Sequence, residues 1–350
     1  MRIAYVTIHV APEIMQGGVG KKIKSQMSIW REQGHAVTLF SLTPAVIPFP
    51  DERQFVFDSR VYLLKREINR ASALKQMLAS IQQYIPDIIY LRYGLYSYPL
   101  HRISKIAPVV LEINSNDKVE YAARGKFFYW MNRLTRNLIF ASVSGIISPT
   151  HELIDAFPSK YNKLVVVISN GIDLKDLEPL PPTENTSPVI TMVASPGMNW
   201  HGVDKLFRFA EKCTDVIVNI VGYSQNDIET TIPENVSLHG FLNRFQLREV
   251  FLTSDVACGT LALHRKDMDE ACPLKVREAL AYGIPVIIAY RDTDLSEIVL
   301  DTILRIPNTE DNVVQNAERI RQFAYDMIGK RVDINFFAPY LDQRKKEETR

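Results

Sequence analysis

Short, nearly uninterrupted apolar runs punctuate this 350-residue chain, and longer stretches with helical spacing separate them. In the first half the runs are RIAYVTI, AVTLFSL, DIIYL, PVVLEI, SGIIS and LVVVIS; in the second they are VITMVA, VIVNIVG, DVACGT and PVIIAY. Runs of this kind mark strands covered on both faces. Their alternation with helical patterns predicts βαβ units on parallel sheets. The stretch from Asp173 to Pro188 is rich in proline and polar residues and breaks the pattern, as a linker does. The chain therefore reads as an α/β protein of two doubly wound, Rossmann-like domains facing each other across a cleft. They span 1–175 and 189–328 and are joined by 176–188; residues 329–350 form a C-terminal segment able to cross back to the first domain. Such sheets bind ligands at the carboxyl ends of their strands.

Composition narrows the class. A hydrophobic share of 46% and a charged share of 23% leave room for two ordinary cores. No apolar run approaches the roughly 18 residues that span a bilayer. The first residues enter directly as a strand, without a signal peptide's pattern. Three cysteines, Cys213, Cys258 and Cys272, form no C-x-x-C pair, which argues against a disulfide framework or a zinc site and fits a reducing cytoplasm. The net charge of +1 hides an asymmetry: residues 1–180 carry 22 Lys and Arg against 15 Asp and Glu, and the remainder 19 against 25. A basic half joined to an acidic half implies different partners for each.

Two motifs carry candidate chemistry. In MQGGVGKKI (15–23), Gly17 and Gly18 let the backbone approach a ligand, and the helix that follows offers free amides to an anion. The spacing is neither that of a P-loop nor G-x-G-x-x-G, and a plain turn remains open. In EACPLKVREALAYGIPVI (270–287), Pro273 suits a helix's first position. The amides of Leu274 and Lys275 then face outward at the positive helix end, ready for a phosphate. Glu278 falls near Lys275 on the helix face, and Glu270 sits upstream. A sugar, its diphosphate and a ribose are the ligand parts that two carboxylates around such a helix mouth suit. A surface capping carboxylate with an ordinary helical glutamate is the plainer alternative.

The E-x7-E pattern followed by ALAYGIPVI resembles the signature of family 4 glycosyltransferases, the retaining GT-B enzymes that use nucleotide sugars. VISNGIDL (167–174), the glycine loop and VNIVGY (218–223) resemble the same family in the same order, so the likeness covers nearly the whole chain. It implies that Glu270 contacts the donor sugar's hydroxyls and that Glu278 accepts from the ribose. It also implies that the base lies near Gly222 and Tyr223 and near Gly240, Phe241 and Leu242. Two positions depart from the family. Ser195 and His201 stand in VASPGMNWHG where an Arg and a Lys commonly clamp the diphosphate, and Asn114 replaces a histidine after the fifth strand. Lys275, assisted by His201 as a hydrogen-bond donor, is the expected replacement for the clamp, with Arg265 and Lys266 next in line.

The carboxylates Asp267, Asp269, Asp292 and Asp294 invite a metal reading, but in the expected loops of a GT-B-like chain they read as solvated; the expectation is no metal and no cofactor beyond the nucleoside diphosphate sugar. RGKFFYWMNRLTR (124–136) mixes Arg124, Lys126, Arg133 and Arg136 with Trp130 and other aromatics. Basic residues beside interfacial aromatics rest a helix on an anionic bilayer; packing on its own sheet is the alternative, and the basic first half favours the membrane. A pI near 7.7 gives no support to a nucleic-acid partner. The expected protein is a cytoplasmic glycosyltransferase, peripheral on the inner face of the membrane. It transfers to a saccharide or lipid-linked saccharide in bacterial surface polysaccharide, capsule or lipopolysaccharide assembly. A same-fold epimerase or phosphorylase and a non-enzymatic sugar-nucleotide-binding protein are the rival readings.

Overall fold

A computed structural model describes residues 1–8, 15, 17–46, 52–155, 161–175 and 177–350. Gln16 of the glycine loop and Asp176 of the linker lie outside the described residues. The chain divides into two compact units, Met1–Ile168 with Lys346–Arg350, and Ser169–Lys345. The division falls before residue 175 because Ser169, Asn170 and Ile172 are bonded to Asp294, Cys272 and Leu341 of the second unit.

In the first unit, β1 (Arg2–Ile8) leads to α1 (Gly18–Glu32), β2 (Ala36–Thr43), β3 (Glu52–Val56), α2 (Leu63–Tyr84) and β4 (Ile88–Arg92). Then follow β5 (Val109–Glu112), α3 (Asp117–Ala123), α4 (Lys126–Ser142), β6 (Gly145–Ser148), α5 (His151–Asp155) and β7 (Leu164–Val167). The strands are parallel in the order β3-β2-β1-β4-β5-β6-β7. Period-two alternation divides β1 between two cores: Ala4, Val6 and Ile8 share one cluster with Leu74 and Met77 of α2, and Ile3 and Tyr5 share another with Ile23 and Met27 of α1. Helices on both faces explain why the strand reads as an unbroken apolar run. Gly20 is required by packing: a Cβ there would lie 1.7 Å from the Met15 carbonyl oxygen.

The second unit holds β8 (Val189–Val193), α6 (Val203–Lys212), β9 (Ile217–Val221), β10 (Val236–Leu238), α7 (Arg244–Leu252) and β11 (Val256–Cys258). It continues through β12 (Glu270–Ala271), α8 (Leu274–Ala281), β13 (Val286–Ile288), β14 (Arg291–Asp292) and β15 (Ile303–Arg305). The helices α9 (Asn312–Gln315), α10 (Ala317–Asp326), α11 (Ile334–Leu341) and α12 (Gln343–Thr349) close the chain, the end of α12 belonging to the first unit. The main sheet is parallel in the order β10-β9-β8-β11-β13-β15, and β12 pairs with β14 separately. In each sheet the order reverses beside the first strand, between β1 and β4 and between β8 and β11. The carboxyl ends there are where ligands seat. No helix among the described residues is long and apolar enough to cross a membrane.

Candidate functional site

In the second unit the expected residues gather at the carboxyl edge of the sheet. Pro273 is the N-cap of α8, so the helix starts at Leu274, one residue later than expected. Pro273 and Leu274 are half-buried. No side chain caps this end and no acidic residue sits in the first turn, which leaves its positive end open to an anion. Lys275 is half-buried, and its ammonium donates to the carbonyl oxygen of Val193, at the end of β8, at 3.0 Å. Burial lowers its pKa to about 8.

That bond carries Lys275 to the loop holding Ser195 and His201. The Ser195 amide donates to Nδ1 of His201 at 3.0 Å, so the proton of the neutral ring sits on Nε2, which is left as a donor. Burial, then Lys275 and Lys266, push the imidazole pKa down to about 2; His201 is therefore neutral. Tyr223 donates its hydroxyl to the Ser195 carbonyl at 3.1 Å, and the amide of Gly222 donates to the Gly240 carbonyl. Gly222 has φ 101° and lies so close to Ala194 that a Cβ would meet its carbonyl oxygen at 2.0 Å. Phe241 is 78% exposed beside the half-buried Leu242. The loop ends of β8, β9 and β10 thus place Ser195, His201, Gly222, Tyr223 and Phe241 around one edge.

Glu270 is buried on β12, its carboxylate 3.6 Å from the exposed Arg291. Glu278 is half-buried one turn further along α8 from Lys275. What ties Glu270 to α8 is a residue that the sequence reading missed. Arg277, fully buried, grips Asp292 with both guanidinium nitrogens and donates to Asp294 at 2.9 Å. Asp292 lies on β14, the partner of β12. The expectation of solvated carboxylates holds for the exposed Asp267 and Asp269 and is corrected for the other pair: Asp292 is fully buried, and the half-buried Asp294 also accepts from Ser169 at 2.6 Å. Asn170 donates its side-chain amide to the Cys272 carbonyl at 2.8 Å, which joins the SNG segment to the turn before α8. Arg265 is corrected as a spare clamp: Asp204 and Glu310 hold it. Lys266 instead lies over the Trp200 ring, 4.5 Å from its centroid.

Gly17 and Gly18 open α1 in the first unit, Gly17 as its N-cap. Asn114 also belongs there. Its Oδ1 accepts from Lys22 at 3.0 Å, which turns Nδ2, buried and without a hydrogen-bond partner, the other way. Lys22 in turn sits 2.7 Å from the fully buried Glu112, which Arg92 and Arg350 also approach at 3.0 and 2.8 Å. Burial alone would raise the Glu112 pKa, but the three cations outweigh it and hold it well below the carboxylate range. Burial takes the Lys22 pKa down to about 8. Asn114 lines a cavity of about 490 Å³ at the ends of β1, β4 and β5, with Arg66, Arg92 and Arg124.

On α4 the basic-aromatic segment splits by face. Lys126, Phe127, Trp130, Arg133, Leu134 and Leu138 are exposed. Arg136 is not part of that surface: it is buried and makes two 2.9 Å bonds to Asp117. Its i+3 and i+4 neighbours Ile139 and Phe140 are the sequence signal for an inward arginine.

Residues 16–176 match the family described as Glycosyltransferase Family 4, and residues 183–333 match Glycosyl transferases group 1. Among solved structures, the sucrose-phosphate synthase of Thermosynechococcus elongatus superposes with a TM-score of 0.64 at 14% identity, over 99% of this chain and 94% of its own. A lipopolysaccharide outer core galactosyltransferase gives 0.65 at 14%, over 99% and 95%. The HepE protein of Anabaena, in complex with UDP-glucose, gives 0.65 at 12%, over 99% and 97%. No curated sequence matches significantly.

Proposed function

The chain belongs to glycosyltransferase family 4, and we propose that it moves a sugar from a nucleoside diphosphate sugar to an acceptor hydroxyl with retention of anomeric configuration. The observation that carries this reading is the meeting of three diphosphate-binding features at one sheet edge. They are the uncapped start of α8, the Lys275 ammonium and the Nε2–H of a neutral His201. In this reading they neutralise the leaving diphosphate as the glycosidic bond to the donor breaks, and a group aimed at charge that develops in the transition state raises turnover. Glu270 holds the sugar's hydroxyls, Glu278 the ribose, and Tyr223, Phe241 and Leu242 border the base. Asn114 offers its free amide N–H to a substrate oxygen. No carboxylate nucleophile is assigned, so a front-face displacement is the proposed route, and no metal is required for it.

The acceptor is proposed to be a saccharide or lipid-linked saccharide of a bacterial surface polysaccharide, approached at an anionic membrane. The apolar ridge of α4 supports this: Phe127, Trp130, Leu134 and Leu138 are 53%, 55%, 73% and 45% exposed, flanked by Lys126 and Arg133. A thermal-shift panel of nucleoside diphosphate sugars tests the donor, headed by UDP-glucose because two structural neighbours are in complex with it. A bound donor at ~100 times its dissociation constant adds ~2.7 kcal/mol. No shift with any donor would remove the reading, and turnover of donor without an acceptor would replace transfer by epimerisation.

A further inference from the structure

The cavity of the first unit has more cationic donors than its own carboxylates can occupy. Arg66, Arg70, Arg92 and Arg124 line it, against Asp117 and Glu120. Asp117 is committed: Arg136 takes both of its oxygens, and Asn132 and Tyr93 donate to it as well. Glu120 accepts from the Ser115 hydroxyl and lies 3.6 Å from Arg124. The remaining arginines share their partners. Arg66 and Arg70 both turn to Glu67, and Arg92 shares Glu112 with Lys22 and Arg350. Burial lowers the Arg70 pKa, Glu67 restores part of it, and Arg66 lowers it further. These guanidinium groups are thus collected in one place where cations outnumber the carboxylates they share: Glu67 serves two arginines, and Glu112 serves Arg92, Lys22 and Arg350. Guanidinium forks match phosphate oxygens in geometry, and the cavity sits at the strand ends where this type of sheet receives ligands.

We infer that this cavity binds a phosphate group carried by the acceptor, so that the enzyme selects phosphorylated over neutral acceptors. The inference rests on the transferase reading for the word acceptor, but not for the binding event itself. The phosphate could ride on a soluble sugar or on a lipid, and the shared chemistry is the oxyanion beside the group to be glycosylated. The exposed Tyr62, Leu63, Leu64 and Ile68 at the start of α2 and the ridge of α4 provide apolar surface on elements that also supply cavity residues, which suits a lipid carrier.

The test is isothermal titration calorimetry of the full chain with four probes: hexose 6-phosphate, the neutral hexose, a short-chain polyprenyl phosphate in detergent, and the matching polyprenol. Each is titrated into wild type and into the Arg66→Gln/Arg124→Gln double variant, whose altered side chains are 30% and 53% exposed in the wild type and hence dispensable for folding. At least one phosphorylated probe should bind about tenfold or more tighter than its neutral counterpart, because hydrogen bonds between a guanidinium and a phosphate are charge-assisted and stronger than neutral ones. The double variant should erase most of that preference with UDP affinity unchanged. The two probe pairs tell a soluble phosphate from a lipid-borne one. Equal binding of phosphorylated and neutral probes, no binding of any, or a preference that survives both substitutions would overturn the inference. Phosphate binding without any response to nucleoside diphosphate sugars would leave it standing and remove the transferase reading instead.

Discussion

Replacing Lys275 by methionine is expected to raise stability and lower turnover together. The ammonium is held in a site that brings its pKa from 10.5 to about 8, which corresponds to a penalty of about 3 kcal/mol on the folded, charged state. Methionine removes that penalty and also the bond to the Val193 carbonyl, worth about 1 kcal/mol, for a net gain of about 2 kcal/mol. The sign follows from which state binds the proton. Below pH 8 both folded and unfolded chains carry it and the penalty is complete. Between about 8 and 10.5 the folded chain sheds it first, so wild-type stability rises with pH and the advantage of methionine fades. Thermal denaturation of the ligand-free protein should show the variant about 4–8 °C higher at pH 7, taking 2–4 °C per kcal/mol for a unit of this size, and nearly level with wild type at pH 10.5. Turnover should meanwhile fall by ~10²–10³, as for loss of one transition-state donor. A variant no more stable than wild type at pH 7, or one keeping more than about a third of wild-type turnover, would refute the reasoning.

The two glutamates should separate by role. Glu270→Gln is expected to lower turnover with nucleoside diphosphate affinity retained, and Glu278→Gln to weaken that affinity; steady-state kinetics with calorimetry on both decides it, and equal losses in both count against the assignment. Arg277→Leu should cost about 3–5 kcal/mol by stranding Asp292 in a dry site, whereas Arg277→Leu/Asp292→Leu should recover a good part of it, as read by urea denaturation. Co-sedimentation with anionic liposomes should fade at high salt and drop for Trp130→Ser and for Lys126→Gln/Arg133→Gln. Binding to neutral liposomes that ignores these changes would leave the ridge as bare surface.

The doubly wound design was legible because runs such as RIAYVTI and VITMVA are buried on both faces, and a strand of that kind has no polar side to disguise it. Of the edge strands, β7 was legible in LVVVIS, but β3, β10 and β15 were not. β3 reads ERQFV, with polar residues wherever only one face is covered, and β10 and β15 are three residues each, too short to show a period. Lys275 and His201 could be named from the positions they occupy in a pattern, yet the bond to Val193 and the fixed tautomer depend on which strands lie side by side. Glu112 and Arg277 were missed, and Arg136 was placed on the wrong face, for one shared reason. Each is a charge inside an apolar stretch, and its partner lies 15 or more residues away along the chain. Arg277 did carry a signal, since Leu280 and Ala281 on its own helix face are both buried.

The backbone amide that donates to His201 has an effect on how the protein meets changing acidity. A histidine near a phosphate site ordinarily gains charge as its surroundings acidify and tightens its grip on anions. Here the Nδ1 lone pair is already occupied by the Ser195 amide, and two lysines oppose a further positive charge. From about pH 5 to 7 the charge on these two groups is therefore constant, Lys275 remaining protonated and His201 neutral. A change of activity across that interval is therefore expected to come from groups other than these two. On the alkaline side the same edge begins to fade near pH 8, where Lys275 releases its proton. Of the two side chains that the Ser195 loop and α8 bring together, only the lysine changes charge in that range.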